Sequence, residues 1–358
     1  MEDLSLENIA KLEETIAPFS AFSSIEFLDI SNEGLEPRHN YRKLDLLIAS
    51  EIKKLYLKLN AFSQKRFSKM IMCRFFFASL FPQYDKMIMF DVDTLFVNDM
   101  SESFFIPLET HYFGAVREKD LIAINRNSAK DLYELRQMHA KTIGVADAFP
   151  NLEEAQILFD NYFNAGFLAL NLKLWREENL ENQLIAFFIL KNEKLLFTDQ
   201  DALCFVCRGR ILELPYSYNA HPSFLDTPSF PNSYNAHPSF LDTPSFPSIK
   251  EARMLHFWGD KPWKLLSVIG AKKWHEVLIE TPFKNAYFNA PFLDHLFESL
   301  QNKDKETQEI HALKKALSFS DKRYSFEFLL PRLSSKLLIE FLLFKAKQKV
   351  KRLIKRVF

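Results

Sequence analysis

The sequence predicts a mixed α/β fold, in which a sheet is flanked by helices, followed by a helical C-terminal region. Short, largely apolar runs, such as 87–90 and 163–172, have the length of buried strands. Between them, longer stretches carry apolar residues at helical spacing. Strands that alternate with helices indicate an α/β sheet. A chain of 358 residues with 47% hydrophobic side chains is long enough for a sizeable core.

The first half of the chain alternates helices with one short strand. Ser5 is a predicted N-cap for a helix that ends near Ile16, because apolar residues recur there every three or four positions. Residues 24–30 alternate as a strand does. Residues 41–59 and 64–81 are predicted helices, the second ending before a proline.

The second half supplies the remaining strands. The predicted elements are a buried strand at 87–90, a strand at 112–116, a mostly helical polar segment at 118–160, a strand at 163–172 and a helix from Trp175 onward.

Charge and cysteine content exclude several classes of function. The formal net charge is zero, so no whole-protein field favours nucleic acid, and we expect no nucleic-acid partner. Three cysteines, two of them in the spacing Cys204-x-x-Cys207, provide neither a disulfide framework nor a complete zinc motif. The acidic N-terminus is not a signal peptide, and there is no run of 18 apolar residues. A cytoplasmic protein is expected.

Asp91 and Asp93 come directly after the apolar run 87–90. In a continuing strand, alternation would place both carboxylates on one side, about 6.5 to 7 Å apart at their Cα atoms. Buried unpaired carboxylates are costly, and a hard divalent cation would relieve that cost. The alternative is that each Asp is a turn residue or a helix N-cap. The pair therefore predicts a metal site, with a turn as the competing interpretation.

Four further stretches carry reactive residues, each with a structural alternative. Arg74 could pair with a carboxylate or a phosphate, or be a surface cation. In Asn-Ala-Gly at 164–166, the Asn needs a hydrogen-bond partner and the Gly admits a ligand close to the backbone; the alternative is a β-bulge. Thr-Asp-Gln-Asp at 198–201 offers acidic and amide groups just before an apolar helix; the alternative is that its Thr or first Asp caps that helix. Residues 256–263, HFWGDKPW, offer a His for a metal and a Lys for a phosphate, or an aromatic turn.

Four segments of the sequence resemble, in the same order, the successive signatures of glycosyltransferase family 8. They are MIMFDVDTLF, YFNAGFLALNLKLWRE, TDQDAL and HFWGDKPW. The resemblance covers about residues 1–265. It implies a GT-A fold, retaining transfer from a UDP-sugar, and Mn²⁺ or Mg²⁺ as cofactor. Because the family includes bacterial lipopolysaccharide galactosyl- and glucosyltransferases, it also implies UDP-galactose or UDP-glucose as donor and a lipid-linked oligosaccharide as acceptor.

The resemblance further implies roles for individual residues. Asp91, Asp93 and His256 correspond to the metal ligands. Asp199 and Gln200 correspond to the catalytic pair beside the anomeric carbon. The residues expected to hold the donor are Arg74, Asp91, Val92, Asp93, Asn164, Ala165, Gly166, His256, Gly259 and Lys261. The loop 256–261 is one residue shorter than in the bacterial galactosyltransferases, which weakens the Lys261 assignment. Because no glycosidase-type carboxylate pair can be placed, we favour front-side attack by the acceptor hydroxyl, with Gln200 stabilising the oxocarbenium-like state.

One departure from the family pattern concerns the front of the chain. Family members open with a strand, a helix and a second strand that hold uracil and ribose. Met1 falls where that unit should already have ended, so roughly the first 40 residues of the pattern are expected to be absent. The competing interpretation is therefore a catalytically impaired or inactive member that acts as a membrane-associated binding protein.

A duplicated segment spans residues 217–247. SYNAHPSFLDTPSFP at 217–231 recurs without change at 233–247, a period of 16. The three prolines in each copy exclude a regular helix or a central strand. We interpret the segment as a duplicated surface loop, with a substrate lid as the alternative.

Residues 266–358 form the predicted helical C-terminal region, which ends in a basic amphipathic tail, 337–358. Apolar residues of the tail follow helical spacing, and 345–358 contains seven cations and no acid. Such a helix suits an anionic membrane surface, although an ordinary core-packed helix is the alternative. We expect peripheral attachment to the inner face of the cytoplasmic membrane. A scaffold acting through this tail alone is a third function, which UDP-sugar hydrolysis would distinguish from a transferase.

Overall fold

The computed structural model describes residues 4–29, 41–118, 128–145, 148–222, 225, 248, 250–264 and 268–283. The chain divides into two compact units, Met1–Lys264 and Leu265–Phe358. The second copy of the repeat and the tail 337–358 lie outside the described residues. In the part that is described, no helix has both the length and the apolar character needed to cross a bilayer.

The strands of the first unit are β1 (Phe27–Asp29), β2 (Tyr41–Lys43), β3 (Lys86–Phe90), β4 (Thr94–Phe96), β5 (Phe113–Arg117), β6 (Phe163–Asn171), β7 (Ile211–Glu213) and β8 (Met254–His256). Its α-helices are α1 (Leu6–Ile16), α2 (Leu46–Tyr56), α3 (Ala61–Arg66), α4 (Phe77–Leu80), α5 (Glu102–Phe105), α6 (Ala129–Ile143), α7 (Leu152–Asp160), α8 (Leu172–Glu177), α9 (Leu180–Lys191) and α10 (Thr198–Val206). In the second unit, α11 spans Ala271–Leu278.

A mixed sheet in the order β3-β6-β5-β7 forms the centre of the first unit. The nine-residue strand β6 is antiparallel to both β3 and β5, whereas β5 and β7 are parallel. Every β6 residue except the last is buried, which explains why its sequence is a nearly continuous apolar run. Two smaller pairs accompany this sheet, parallel β1–β2 and antiparallel β4–β8. The predicted α/β architecture is confirmed.

Helices pack on the sheet through large apolar side chains. Trp175, Phe75 and Phe188 are fully buried, and the rings of Phe75 and Phe188 have centroids 5.7 Å apart. Trp175 also donates from Nε1 to the carbonyl of Tyr112 at 3.0 Å. This bond anchors α8 beside the start of β5, so the buried indole keeps its one polar group satisfied.

Several local predictions differ from the structure. The helix over 6–16 is confirmed, with Ser5 Oγ accepting from the N–H of Asn8 at 3.2 Å. The helix predicted at 41–59 begins later, because residues 41–43 pair with β1 and Asp45 caps α2. The single helix predicted at 64–81 is wrong. Phe67 is extended (φ −116°, ψ 143°), and a 3₁₀ segment, Lys69–Phe76, precedes α4. Strand β3 is half-buried, not fully buried.

Candidate active site

Asp91 and Asp93 lie in a tight turn between β3 and β4. The predicted continuing strand is therefore wrong at this point, and the turn interpretation is correct for the backbone. Thr94 Oγ1 donates to the carbonyl of Asp91 at 2.7 Å, and the Asp91 N–H donates to the carbonyl of Gly166 at 3.0 Å. The Val92 side chain between the two acids is fully exposed. The turn thus does not exclude a metal site, because both carboxylates point toward β8.

His256 completes a three-residue cluster with the two acids. Strand β8 pairs with β4 so that His256 lies opposite Thr94. Its Nε2 is 3.3 Å from Asp93 Oδ1 and 3.7 Å from Asp91 Oδ2, and the residue is 3% exposed. One ligand atom from each of the three residues lies within 4.8 Å of the others. Two carboxylates and one imidazole form a donor set that can hold a divalent metal ion.

Gly166 leaves room for the His256 ring. A Cβ atom at this position would overlap with Cε1 and Nδ1 of His256 and would also lie 2.9 Å from Asn164 Oδ1. The sequence predicted that this glycine admits a ligand close to the backbone. The side chain that approaches it in the structure is the imidazole of a predicted metal ligand.

Arg74 connects Asp91 to Asp199. Its guanidinium donates from Nη2 to Asp91 Oδ1 and from Nη1 to Asp199 Oδ2. Burial would lower the pKa of Arg74, but the two carboxylates outweigh burial and raise it, so the group stays charged. The alternative of a surface cation is therefore wrong. One cation fixes a carboxylate of the predicted metal pair and a carboxylate of the predicted catalytic pair.

The pKa values of Asp91 and Asp93 are shifted in opposite directions. Burial raises the pKa of Asp91, and this effect exceeds the opposing attraction of Arg74 and His256. Burial would also raise the pKa of Asp93, but hydrogen bonds and charges from His256 and Lys261 hold it well below its usual range. Asp93 is therefore the more firmly ionised of the two.

The segment 164–166 and the start of α10 are in direct contact. The Ala165 N–H donates to Gln200 Oε1 at 2.9 Å, and Asn164 Nδ2 donates to Glu118 Oε2 at 2.8 Å. The register between β5 and β6 shifts here, so the bulge and the satisfied Asn that the sequence allowed are both present. Asp199 is 5% exposed and pairs with Arg74, so it does not cap the helix as the alternative proposed.

Lys261 and Gly259 follow β8 in the loop after His256. Lys261 Nζ donates to Asp93 Oδ2 and to the carbonyl of Phe257, the latter at 2.7 Å. Gly259 has φ +89°, a left-handed conformation that favours glycine. The structure thus places the predicted phosphate-binding Lys beside the candidate metal site.

Sequence reasoning missed an ion pair that supports α10. Arg136 Nη2 donates to Asp201 Oδ2, and both side chains are buried. Asp201 Oδ2 also accepts from the N–H groups of Leu196 and Phe197 at 3.2 and 3.1 Å. This carboxylate therefore binds the N-cap residue, Phe197, and the residue before it, at the start of the helix that carries Asp199 and Gln200. The second Asp of the Thr-Asp-Gln-Asp segment was the only signal for it.

Two further polar residues near the site were also missed. Glu118 follows β5, and Asn219 belongs to the first copy of the repeat. Asn219 is 1% exposed, with Oδ1 2.9 Å from His256 Nδ1. The proline-rich sequence after it led to the surface-loop interpretation, which is wrong for residues 217–220.

Comparison with known proteins agrees with this arrangement. The sequence profile of Glycosyl transferase family 8 matches residues 2–266. Over 142 residues the chain is 28% identical to a putative glycosyltransferase of Haemophilus influenzae, covering 40% of this chain and 36% of that protein. It is 23% identical over 130 residues to lipopolysaccharide 1,2-glucosyltransferase of Escherichia coli K12, covering 36% of each. The matched segments thus span about a third of these curated relatives.

Solved structures with the same fold were also found. The galactosyltransferase LgtC, solved with donor and acceptor sugar analogues, has a TM-score of 0.51 and 19% identity, covering 76% of this chain and 90% of that chain. The bifunctional glycosyltransferase WbbM has a TM-score of 0.50 and 23% identity, covering 80% of this chain and 44% of that chain. At these identities the likeness is one of fold, the GT-A fold that the sequence predicted.

Proposed function

This chain belongs to glycosyl transferase family 8, and we propose that it transfers a hexose from UDP-galactose or UDP-glucose to a hydroxyl of a lipid-linked lipopolysaccharide core oligosaccharide, retaining the configuration of the sugar. The observation that carries the proposal is the convergence of Asp91, Asp93 and His256 within 4.8 Å, beside the cationic Lys261 and Arg74. A lipopolysaccharide glucosyltransferase among the relatives supports the class of acceptor.

The residues of the cluster have separable roles in this proposal. Asp91, Asp93 and His256 would hold Mn²⁺ or Mg²⁺, which when bound would neutralise the charge that develops on the diphosphate leaving group. Lys261 Nζ, now on Asp93, would add a second positive charge for the diphosphate. Arg74 would keep the metal pair and Asp199 in a constant relative position, because it donates to both.

Retention of configuration requires either a covalent intermediate or attack on the same face as the leaving group. Asp199 is poorly placed to act as a nucleophile, because it is buried and paired with Arg74. Glu118 is likewise buried, and it accepts from Asn164. Gln200 is neutral, and the N–H of Ala165 donates to its Oε1 and so holds the amide in place. These contacts favour front-side attack by the acceptor hydroxyl, with the Gln200 amide stabilising positive charge on the sugar.

UDP release from each sugar nucleotide tests the proposal. The purified chain is incubated with UDP-galactose or UDP-glucose, with and without Mn²⁺, and released UDP is measured. We expect Mn²⁺-dependent release that falls by about 100-fold or more in Asp93→Asn, because the change removes one charged ligand. Asp85→Asn is the matched control, since Asp85 precedes the same strand, is 74% exposed and pairs with Arg176.

Two outcomes would contradict the proposed activity. Release that is indifferent to Mn²⁺ and to Asp93→Asn would exclude the candidate site as its source. Tight Mn²⁺ binding without any UDP release would favour the inactive, membrane-associated binding protein.

The acceptor class implies that the enzyme works at a membrane, and we propose that residues 337–358 attach it to the inner face of the cytoplasmic membrane. The support is the sequence pattern, an apolar stripe with seven cations and no acid over 345–358. Co-sedimentation with anionic and neutral vesicles, comparing the full chain with one that ends at Ser335, tests this. Binding that does not depend on the tail or on lipid charge would contradict it.

A further inference from the structure

The first copy of the repeat is built into the candidate site. Tyr218, Asn219 and Ala220 are buried. The backbone of this segment runs beside β8: the Arg253 N–H donates to Ser217 O at 2.8 Å, the Ala220 N–H to Met254 O at 3.0 Å, and the His256 N–H to Ala220 O at 2.9 Å. These bonds hold Asn219 in a constant position relative to His256.

A chain of hydrogen bonds determines which way the Asn219 amide points. It starts at the Gly166 N–H, which can only donate, and which lies 2.9 Å from Asn164 Oδ1. That atom must therefore be the amide oxygen, an assignment that the Glu118 carboxylate supports by accepting from Asn164 Nδ2 at 2.8 Å. The Asn219 group 2.7 Å from Asn164 Oδ1 must then be its NH₂. The oxygen of Asn219 is left to face His256.

The same logic determines the state of His256. Asn219 Oδ1 can only accept, so His256 Nδ1, 2.9 Å away, carries a proton. Nε2 is the nitrogen that faces Asp93 and Asp91. Without a cation Nε2 can also carry a proton and donate to Asp93, and a metal ion would replace that proton. The ring then presents its lone pair to the point on which both carboxylates converge.

We propose that Asn219 is a positioning residue, which holds His256 in the Nδ1–H tautomer and so directs Nε2 to the metal. We assign this role to the first copy of the repeat. The inference rests on the proposed metal site but not on sugar transfer, because the tautomer and metal affinity are measured without a sugar nucleotide. Partners that orient a ligating His in this way typically contribute 10- to 100-fold to metal affinity.

The repeat itself supplies a matched control. Asn235 occupies the same place in an identical Ser-Tyr-Asn-Ala-His sequence of the second copy. We compare Asn219→Ala, made in the full chain and in a chain that lacks 232–247, with Asn235→Ala, made in the full chain. Mn²⁺ affinity is measured by electron paramagnetic resonance. The tautomer of His256 is read from its ¹⁵N chemical shifts at alkaline pH, after the ring has lost its second proton.

We expect Asn219→Ala to weaken Mn²⁺ binding by about 10- to 100-fold in both chains and to abolish the preference for the Nδ1–H tautomer. Asn235→Ala should change neither. Asn219→Asp keeps an oxygen for Nδ1 but loses the donor to Asn164 Oδ1, so it should bind Mn²⁺ more tightly than Asn219→Ala and less tightly than the wild type. If Asn219→Ala does not fold, as thermal unfolding would reveal, Asn219→Asp still tests the acceptor: an Nδ1–H tautomer is expected, and its absence overturns the proposal.

The outcomes separate the two parts of the inference. A folded Asn219→Ala chain that lacks 232–247 but keeps its tautomer and Mn²⁺ affinity would overturn the positioning role. If Asn219→Ala weakened Mn²⁺ binding only in the shortened chain, or if Asn235→Ala weakened it, the assignment to the first copy would be overturned. Failure of UDP release with all of these results as expected would count against the proposed function only.

Discussion

Replacing Arg136 by Met tests how the helix α10 is held. The side chains of Arg136 and Asp201 are 4% and 0% exposed, and Asp201 is two residues from Asp199. Methionine is unbranched and uncharged and reproduces only the apolar stem of arginine, so Arg136→Met leaves the carboxylate buried without its cation.

The expected loss in the free energy of unfolding is about 3–5 kcal/mol, the usual cost of leaving one member of a buried pair alone. Arg136 also donates to Phe149 O at 2.8 Å and to Tyr162 Oη at 3.2 Å, so two further acceptors lose a donor. Burial already raises the pKa of Asp201 against the attraction of Arg136. In the variant that attraction is gone, and the pKa rises further.

This shift gives the loss a pH dependence of known sign. The native variant keeps a proton on Asp201 that the unfolded chain releases near pH 4. Above that pH the native state therefore binds more protons, and stability falls as pH rises. The deficit of Arg136→Met relative to the wild type should be larger at pH 8 than at pH 5.

Urea unfolding followed by tryptophan fluorescence at both pH values measures the effect. Lys173→Met is the control, because Lys173 and Glu177 form a pair 3.9 Å apart whose side chains are 62% and 56% exposed. Its loss should stay within about 0.5 kcal/mol. A deficit in Arg136→Met below about 1 kcal/mol at pH 8, or one equal at both pH values, would refute the argument that the buried charge depends on its partner.

Three other predictions concern His221, Gly166 and the second copy of the repeat. Burial lowers the pKa of His221 to about 4. Between about pH 4 and 6.5 the imidazole is therefore protonated only in the unfolded chain, and the free energy of unfolding should rise by about 3 kcal/mol across that window. His221→Gln should lose this rise in urea titrations, and a rise that persists would assign it to another group. The methyl group added by Gly166→Ala would overlap the His256 ring. The change should weaken Mn²⁺ binding, measured by calorimetry, by at least about 10-fold. An unchanged affinity would show that the ring can move aside. Removal of 232–247 should leave the unfolding midpoint nearly unchanged, since a twofold change in loop length costs only about 0.6 kcal/mol; a large drop would mean that the second copy contributes to the core.

Strands β1, β3, β5 and β6 and the acidic pair were accessible from sequence because their signals are local, whereas the three-residue strands β2, β4, β7 and β8 were not predicted. The change from an apolar run to Asp91 and Asp93 is visible in a few residues, and so are the Asn and Gly that interrupt β6. Burial of β6 on both faces leaves a nearly continuous apolar run, and the length of that run is typical of a strand.

The contacts that organise the site were not accessible, because they join distant parts of the chain. Arg74 and Asp199 are 125 residues apart, and His256 and Asn219 are 37 apart. Helical periodicity over 64–81 also concealed the break at Phe67, after which a 3₁₀ segment carries Arg74 toward the two carboxylates. Local propensity describes which residues favour a helix, whereas tertiary contacts decide where it stops.

The shared guanidinium of Arg74 has a consequence for the order in which ligands bind. Around it, the carboxylates of Asp91, Asp93 and Asp199 face two cationic groups, Arg74 and Lys261, so these five groups together carry one excess negative charge. A free nucleoside diphosphate would be repelled by that excess at short range. A bound divalent cation would make the net charge of these groups positive. The kinetic scheme expected of this site is therefore an ordered one, in which the nucleotide enters after the cation or together with it.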